Sequence, residues 1–142
     1  LKERKNLRQQ LNFETPNDKD ENSKNNTEKE ADKKLLFDKV NSLIEKRKLF
    51  TQPKLTVDFI ANEVDINASK LSNIIKQFSN KNFNDYINEF RIDLAKELLK
   101  NSEYKNYTIT SIGLESGFNS KSTFYYTFKK HTGITPVAYQ KN

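Results

Sequence analysis

The feature that most limits what this chain can fold into is a repeat. Ile60 recurs as Ile112, Glu63 as Glu115 and Asn67 as Asn119, all at an offset of 52. Beyond that point one inserted residue makes the offset 53, and Leu71 pairs with Phe124, Ile75 with Phe128, Lys76 with Lys129 and Tyr86 with Tyr139. Matches kept in this order mean that one supersecondary unit is built twice. The small residues follow the same plan. Ala61 and Gly113 stand where a first helix must lie close against a second, and Asp65 and Gly117 stand at the turn between them. Gly takes positive φ freely, and Asp does so more readily than most residues, so both suit a short turn between helices that cross steeply. That is the geometry of a helix-turn-helix.

The apolar spacing around the repeat is helical throughout, so the expected class is all-α. An extra N-terminal helix is expected over 35–50, where Leu36, Val40, Leu43, Ile44, Leu49 and Phe50 form a stripe that ends before Pro53. Thr56 is a fitting N-cap for a short helix carrying Phe59, Ile60 and Val64, and Leu71, Ile74, Ile75 and Phe78 define the next one. Phe83 to Lys100 has no Gly or Pro and reads as a connecting helix, about 27 Å long at about 1.5 Å per residue. Thr108 then caps a helix with Ile109 and Ile112, Phe124 and Phe128 mark another that Gly133 stops, and Thr135-Pro136 opens a last turn with Tyr139. The expected layout is a first helix-turn-helix at about 55–79, a connecting helix at about 83–101 and a second helix-turn-helix at about 108–132, inside a domain running over 35–142.

Residues 1–34 are expected to lie outside that domain as a tail and flexible linker. From 13 to 34 they contain one aromatic and one Ala but no branched aliphatic side chain, too little to offset the entropy of ordering. Leu1, Leu7 and Leu11, with basic neighbours, have the loose spacing of a helix end leaving another domain or a membrane. The chain opens at Leu1 and not at Met, which suits an excised C-terminal piece of something longer.

Composition narrows the function. The chain of 142 residues carries 25 Lys and Arg against 19 Asp and Glu, a net charge of +6, and residues 116–142 hold four lysines and no acid. It has no Cys, Met or Trp and one His, His131, which removes disulfides, thiol nucleophiles, thiolate metal sites and multi-His zinc sites together. No Gly-rich phosphate loop and no pair of carboxylates in an apolar setting occurs, so neither catalysis, a metal, a cofactor nor a small-molecule site is expected. No apolar run is long enough to span a bilayer.

In a helix-turn-helix the second helix enters the major groove, so its outer face must carry groups that bond or pack on base edges. The first unit offers Ser69, Lys70, Ser72 and Asn73; the second offers Lys121, Ser122, Tyr125 and Tyr126, the two tyrosines being expected side by side on the surface. Neither helix carries an acid. Lys76, Lys129 and Lys130, further along, suit phosphates better than bases. The competing reading of the same faces is a helical protein–protein interaction or dimerisation module without direct base readout.

The second unit, IGLESGFNSKSTFYYTFKKHTGITPVAYQ, resembles the tandem helix-turn-helix DNA-binding domain of AraC/XylS-type transcription activators: Gly-Phe before a Ser-rich turn, Phe-x-x-x-Phe-Lys-Lys, Gly-x-Thr-Pro and a following Tyr. The resemblance runs from about Leu55 to Lys141, with Arg91 and Ala95 where the family has Arg-x-x-x-Ala. It implies a bacterial, cytoplasmic regulator that binds double-stranded DNA, with RNA polymerase and self-association through an upstream region as further partners. It also implies a sensor that lies upstream or across a membrane, to which residues 1–34 are the tether. Two positions depart from the family pattern. Gly113 replaces the usual Ala, which is expected to loosen the second unit slightly. Tyr126 stands where many relatives carry Arg, exchanging a bidentate guanine contact for packing on a thymine methyl or a bond to phosphate.

Overall fold

The computed structural model describes residues 22–142 and, within its first helix, side chains from Lys29 onward. Among these residues there are seven α-helices and no strand: α1 Asn22–Lys46, α2 Val57–Glu63, α3 Ala68–Ser79, α4 Phe83–Lys100, α5 Ile109–Glu115, α6 Lys121–Thr132 and α7 Pro136–Lys141. Short 3-10 turns occupy Leu49–Thr51 and Ser102–Tyr104. The chain forms two units. The first is the chain up to Ile44 together with Thr56–Phe83, and the second is Glu45–Leu55 together with Asn84–Asn142.

The N-terminal helix differs from expectation. It begins at Asn22, whereas the sequence suggests a linker as far as residue 34; residues 1–21, with the rest of the expected tail, lie outside the described residues. Lys and Glu make up five of the seven residues from Glu28 to Lys34, and straight-chain residues keep most of their rotamer freedom in a helix. Lys33 reaches Glu30 at 3.4 Å and Lys34 reaches Asp38 at 2.7 Å, the three- and four-residue pairings that support a solvated helix without a core. Within the first unit this helix also meets α3: the Phe37 and Phe78 rings are 5.6 Å apart, and Gln77 Nε2 donates to Glu30 Oε2.

The repeat persists down to single hydrogen bonds. At the end of α2 the Ile66 amide donates to Ala61 O (3.1 Å) and the Asp65 amide to Asn62 O (3.4 Å); at the end of α5 Phe118 donates to Gly113 O and Gly117 to Leu114 O, both at 3.1 Å. Each pair is the double bond pattern that closes a helix on one left-handed residue. Those residues are Asp65, at φ 63°, and Gly117, at φ 112°. Thr56 and Thr108 cap α2 and α5 by accepting the amides of Phe59 and Ser111, and Thr135 caps α7, as their sequence positions suggest. Asn67 and Ser120 cap α3 and α6, and Asn80 and Gly133 end them in the left-handed region. A side-chain clasp recurs as well. Ser79 Oγ donates to Ile75 O (2.6 Å) and accepts from the Lys81 amide, and Thr132 Oγ1 donates to Phe128 O (2.8 Å) and accepts from the Ile134 amide.

Each unit has its own core. In the first, Leu36, Val40, Ile44, Ile60, Ala61, Val64, Leu71, Ile74 and Ile75 are buried, while Phe59, read from the sequence as part of the apolar face of α2, is 40% exposed. In the second, Ile92, Ala95, Leu98, Leu99, Ile112, Phe118, Phe124 and Phe128 form one cluster, against which Tyr139 packs partly buried. Gly113 does not loosen this cluster. A Cβ placed on it would fall within 2.5 Å of Phe124 Cγ and 3.0 Å of Phe124 Cβ, so the missing methyl is the space that the phenyl ring fills. In the first unit the equivalent residues are Ala61 and Leu71, a larger residue on one helix matched by a smaller one on the other.

This exchange makes a thermodynamic cycle. Gly113→Ala alone should overpack the second core and destabilise it by about 1–3 kcal/mol, and Phe124→Leu alone should leave a void costing about 1–3 kcal/mol. The double variant recreates the first unit's pairing and should be more stable than the two losses predict, by at least about 0.5 kcal/mol in denaturant unfolding. Strict additivity would show that the two positions are not matched.

Candidate nucleic-acid interface

Both second helices present a polar stripe set by helical spacing. On α3 the exposed residues Ser69, Asn73 and Lys76 follow one another at four- and three-residue steps, and on α6 Ser122, Tyr126 and Lys129 do the same. The offset of 53 places them pairwise: Ser69 with Ser122, Asn73 with Tyr126, Lys76 with Lys129. Opposite each stripe lie the buried residues, Leu71, Ile74 and Ile75 on α3 and Phe124, Thr127 and Phe128 on α6. Tyr126 is 71% exposed, the most exposed of the large apolar side chains among the described residues.

Not every side chain expected on these faces lies there. Tyr125 is half-buried, packing its ring edge-on to Phe124 with centroids 5.9 Å apart, and Lys121 Nζ sits 5.4 Å above it. The expected side-by-side pair of surface tyrosines is therefore one surface tyrosine and one that closes the edge of the core. Lys70 and Ser72 are likewise only partly exposed, at the flank of α3. Lys121, Lys129 and Lys130 are exposed. Two positions escaped the sequence reading. Thr123, exposed on α6, is the counterpart of Lys70, and Gln77, bonded to Glu30, is the counterpart of Lys130. Carrying the offset of 53 through every residue of the two helices would have found both.

The second unit has a further fixture. Arg91, on α4, donates through Nε to Phe50 O (2.7 Å), through Nη2 to Gln52 O (2.9 Å) and through Nη1 to Asn88 Oδ1 (3.0 Å). Its guanidinium lies 6.0 Å from the centre of the Phe118 ring, and partial burial lowers its pKa from the ordinary arginine value. The segment it holds lies directly against the turn of the second helix-turn-helix, because a Cβ on Gly117 would meet Phe50 O and would come within 2.8 Å of Arg91 Nε. Gly at this position therefore serves both a left-handed backbone and a close approach. Phe50 also stacks on Phe90 at 5.6 Å.

A helix-turn-helix domain model matches residues 60–142, the whole of this duplicated architecture from Ile60 to the end. The chain belongs to the AraC-type helix-turn-helix family. The melibiose operon regulatory protein of Escherichia coli K12 is 33% identical over 87 residues, which are 61% of this chain and 28% of that protein. The transcriptional regulatory protein HptR of Staphylococcus aureus (strain NCTC 8325 / PS 47) is 30% identical over 102 residues, 72% of this chain and 39% of that one. Among solved structures, the C-terminal domain of the two-component response regulator yesN from Fusobacterium nucleatum superposes with a TM-score of 0.62 at 30% identity, covering 74% of this chain and 97% of that domain. The chain thus spans well under half the length of these two curated relatives. AraC-type domains are DNA-binding domains of transcription regulators, and the tandem all-α fold expected from the resemblance is the one observed. No helix among the described residues is long and apolar enough to cross a membrane.

In this AraC-type domain the Arg91 fixture should be separable from the outer faces of the reading helices. Arg91→Met removes the donors to Phe50 O and Gln52 O and should cost about 1.5–3 kcal/mol in unfolding free energy, the range for a hydrogen bond to a charged group. Asn73→Ala, on an exposed position, should change stability by less than about 0.5 kcal/mol. Equal losses for the two variants would contradict the division between fixture and face.

Proposed function

We propose that this chain is the DNA-reading output portion of a larger transcription regulator, seating α3 and α6 in successive major grooves of one duplex. The observation that carries this reading is the pair of matching exposed stripes, Ser69-Asn73-Lys76 and Ser122-Tyr126-Lys129, on helices with the same caps in a duplicated helix-turn-helix. Hydroxyl and amide groups exchange hydrogen bonds with base edges, Asn suits adenine, and a phenol packs on a thymine methyl or bonds a phosphate. Lys76, Lys129 and Lys130 are assigned to phosphates, and Ser69, Asn73, Lys121, Ser122 and Tyr126 to the base side, with Lys70, Ser72 and Tyr125 at its edge. The 18 residues of α4, about 27 Å of helix, suit reading heads spaced by one duplex turn, and hence a site of about 20 base pairs.

The rest of the regulator is assigned to chain beyond this domain. The low share of each curated relative that the chain covers supports a separate sensor, and RNA polymerase and a second copy of the regulator are proposed as its partners. The chain that precedes α1 is proposed as the tether to that part and the cytoplasm as the compartment. A protein–protein module without base readout is not favoured by a family of DNA-binding regulators.

Selection of bound duplexes from a random pool tests this. Two half-sites about ten base pairs apart are expected. Tyr126→Ala should lower the preference among bases in one half-site by roughly tenfold with unchanged helical content by circular dichroism. Lys129→Gln should weaken every duplex alike and reduce the slope of log affinity against log salt by about 0.9. Recovery of no sequence motif, or of a motif that Tyr126→Ala leaves intact, counts against base readout by α6.

A further inference from the structure

The two units differ sharply in charge. The second, Glu45–Leu55 with Asn84–Asn142, holds twelve basic and seven acidic residues, whereas the first, counted from Asn22, holds eight and seven. Most of the second unit's excess comes from a short segment. Glu45–Leu55 contributes Lys46, Arg47, Lys48 and Lys54 against the single acid Glu45, while Asn84–Asn142 has eight basic residues against six acidic. Lys46, Lys48 and Lys54 are all exposed. Lys46 ends α1, whereas the segment that carries Lys48 and Lys54 is held by its backbone, through the Arg91 bonds to Phe50 O and Gln52 O.

The segment is strapped to the part of the second unit that leads into α6. Phe50 O and Thr51 Cα crowd Gly117, and Lys54 lines the same open cleft as Phe118 and Asn119, immediately before the cap Ser120. Lys48 is fixed in the left-handed region at φ 49°, with its carbonyl taken by the Thr51 hydroxyl at 2.8 Å, so its place on the strap is set by backbone geometry. A non-glycine residue is rarely held there without a surrounding structure that demands it. The N-terminal end of a reading helix is the end that approaches the groove, so cations beside the preceding turn stand next to the sugar-phosphate rail.

We propose that Lys48 and Lys54 form an additional phosphate grip for the second helix-turn-helix, holding the duplex backbone beside the bases assigned to α6. This rests on the DNA reading above and deepens it. The strap comes from the connection between α1 and α2, so part of the second reading head's affinity is supplied by chain that precedes the first one.

The test uses the full chain and a duplex recovered from the random pool, with Lys48→Gln/Lys54→Gln compared with wild type across a salt series. Two lost phosphate contacts should make the salt slope shallower by about 1.8, so that the wild type's lead shrinks roughly tenfold between about 50 and 200 mM salt. The ranking of point-substituted duplexes should stay the same. The charge-matched pair Lys33→Gln/Lys39→Gln, on α1, should keep the wild-type slope. A chain that selects a duplex but gives parallel slopes for wild type and the strap variant overturns the grip alone. An equal change in the α1 pair does so too, by reducing the effect to net charge. A chain that selects no duplex overturns the DNA reading and the grip with it.

Discussion

Each reading helix is aimed by one left-handed residue. α2 and α5 are seven residues long, shorter than a helix that persists by itself, so their direction is set by what they are tied to. The tie is a turn in which the residue after the left-handed one, Ile66 or Phe118, reaches back to Ala61 O or Gly113 O, and this closes only if Asp65 or Gly117 takes positive φ. Asn67 and Ser120 then start the following helix by capping it. Loss of the left-handed residue would free the axis of the second helix even with every core contact available.

From that shared turn the two units differ in compensating ways. Asp65 stays in the ordinary left-handed well at φ 63°, which a short polar side chain tolerates. Gly117, at φ 112°, has moved to a region that side chains rarely occupy and has a carbonyl where a Cβ would stand, so only glycine fits. The same unit exchanged a methyl for a ring between Gly113 and Phe124. The first unit has instead the long α1 against it, through Phe37 on Phe78 and Glu30 on Gln77. One turn geometry therefore supports two cores that are filled differently and braced from different parts of the chain.

What the sequence makes legible is local. A cap needs only a side chain that reaches an amide three residues on, which is why Thr56, Thr108 and Thr135 are readable, and a repeat needs only two aligned strings. The start of α1 is not readable from apolar spacing, because residues 29–34 support their helix by propensity and charge pairs and none of them is buried. Tyr125 misleads for a geometric reason: neighbours on a helix point about 100° apart, so two adjacent tyrosines do not share one face, and the one beside the buried Phe124 is drawn inward. Arg91 gives no local sign of what it braces. Apart from Asn88, three residues back, its partners lie 39 and 41 residues away, and they are backbone carbonyls, which carry no residue identity.

The uneven charge bears on how two similar heads share one ligand. A polyanion attracts by net charge at distances up to about a Debye length, roughly 10 Å at moderate salt, and by hydrogen bonds only on contact. The first unit is almost neutral, so its long-range pull is small, and the base contacts proposed for Asn73 and Ser69 need them within bonding reach of an edge. The second unit carries nearly all of the chain's excess positive charge, yet the residue at the middle of its outer stripe, Tyr126, is an uncharged phenol. On the proposed assignment the first unit holds phosphate through Lys76 alone and the second through Lys129, Lys130 and the strap, so most of the holding falls to the second unit while base contact is shared. In such an arrangement salt should act chiefly through the second unit's charge, while the identity of the bases should act through the outer stripes of both heads.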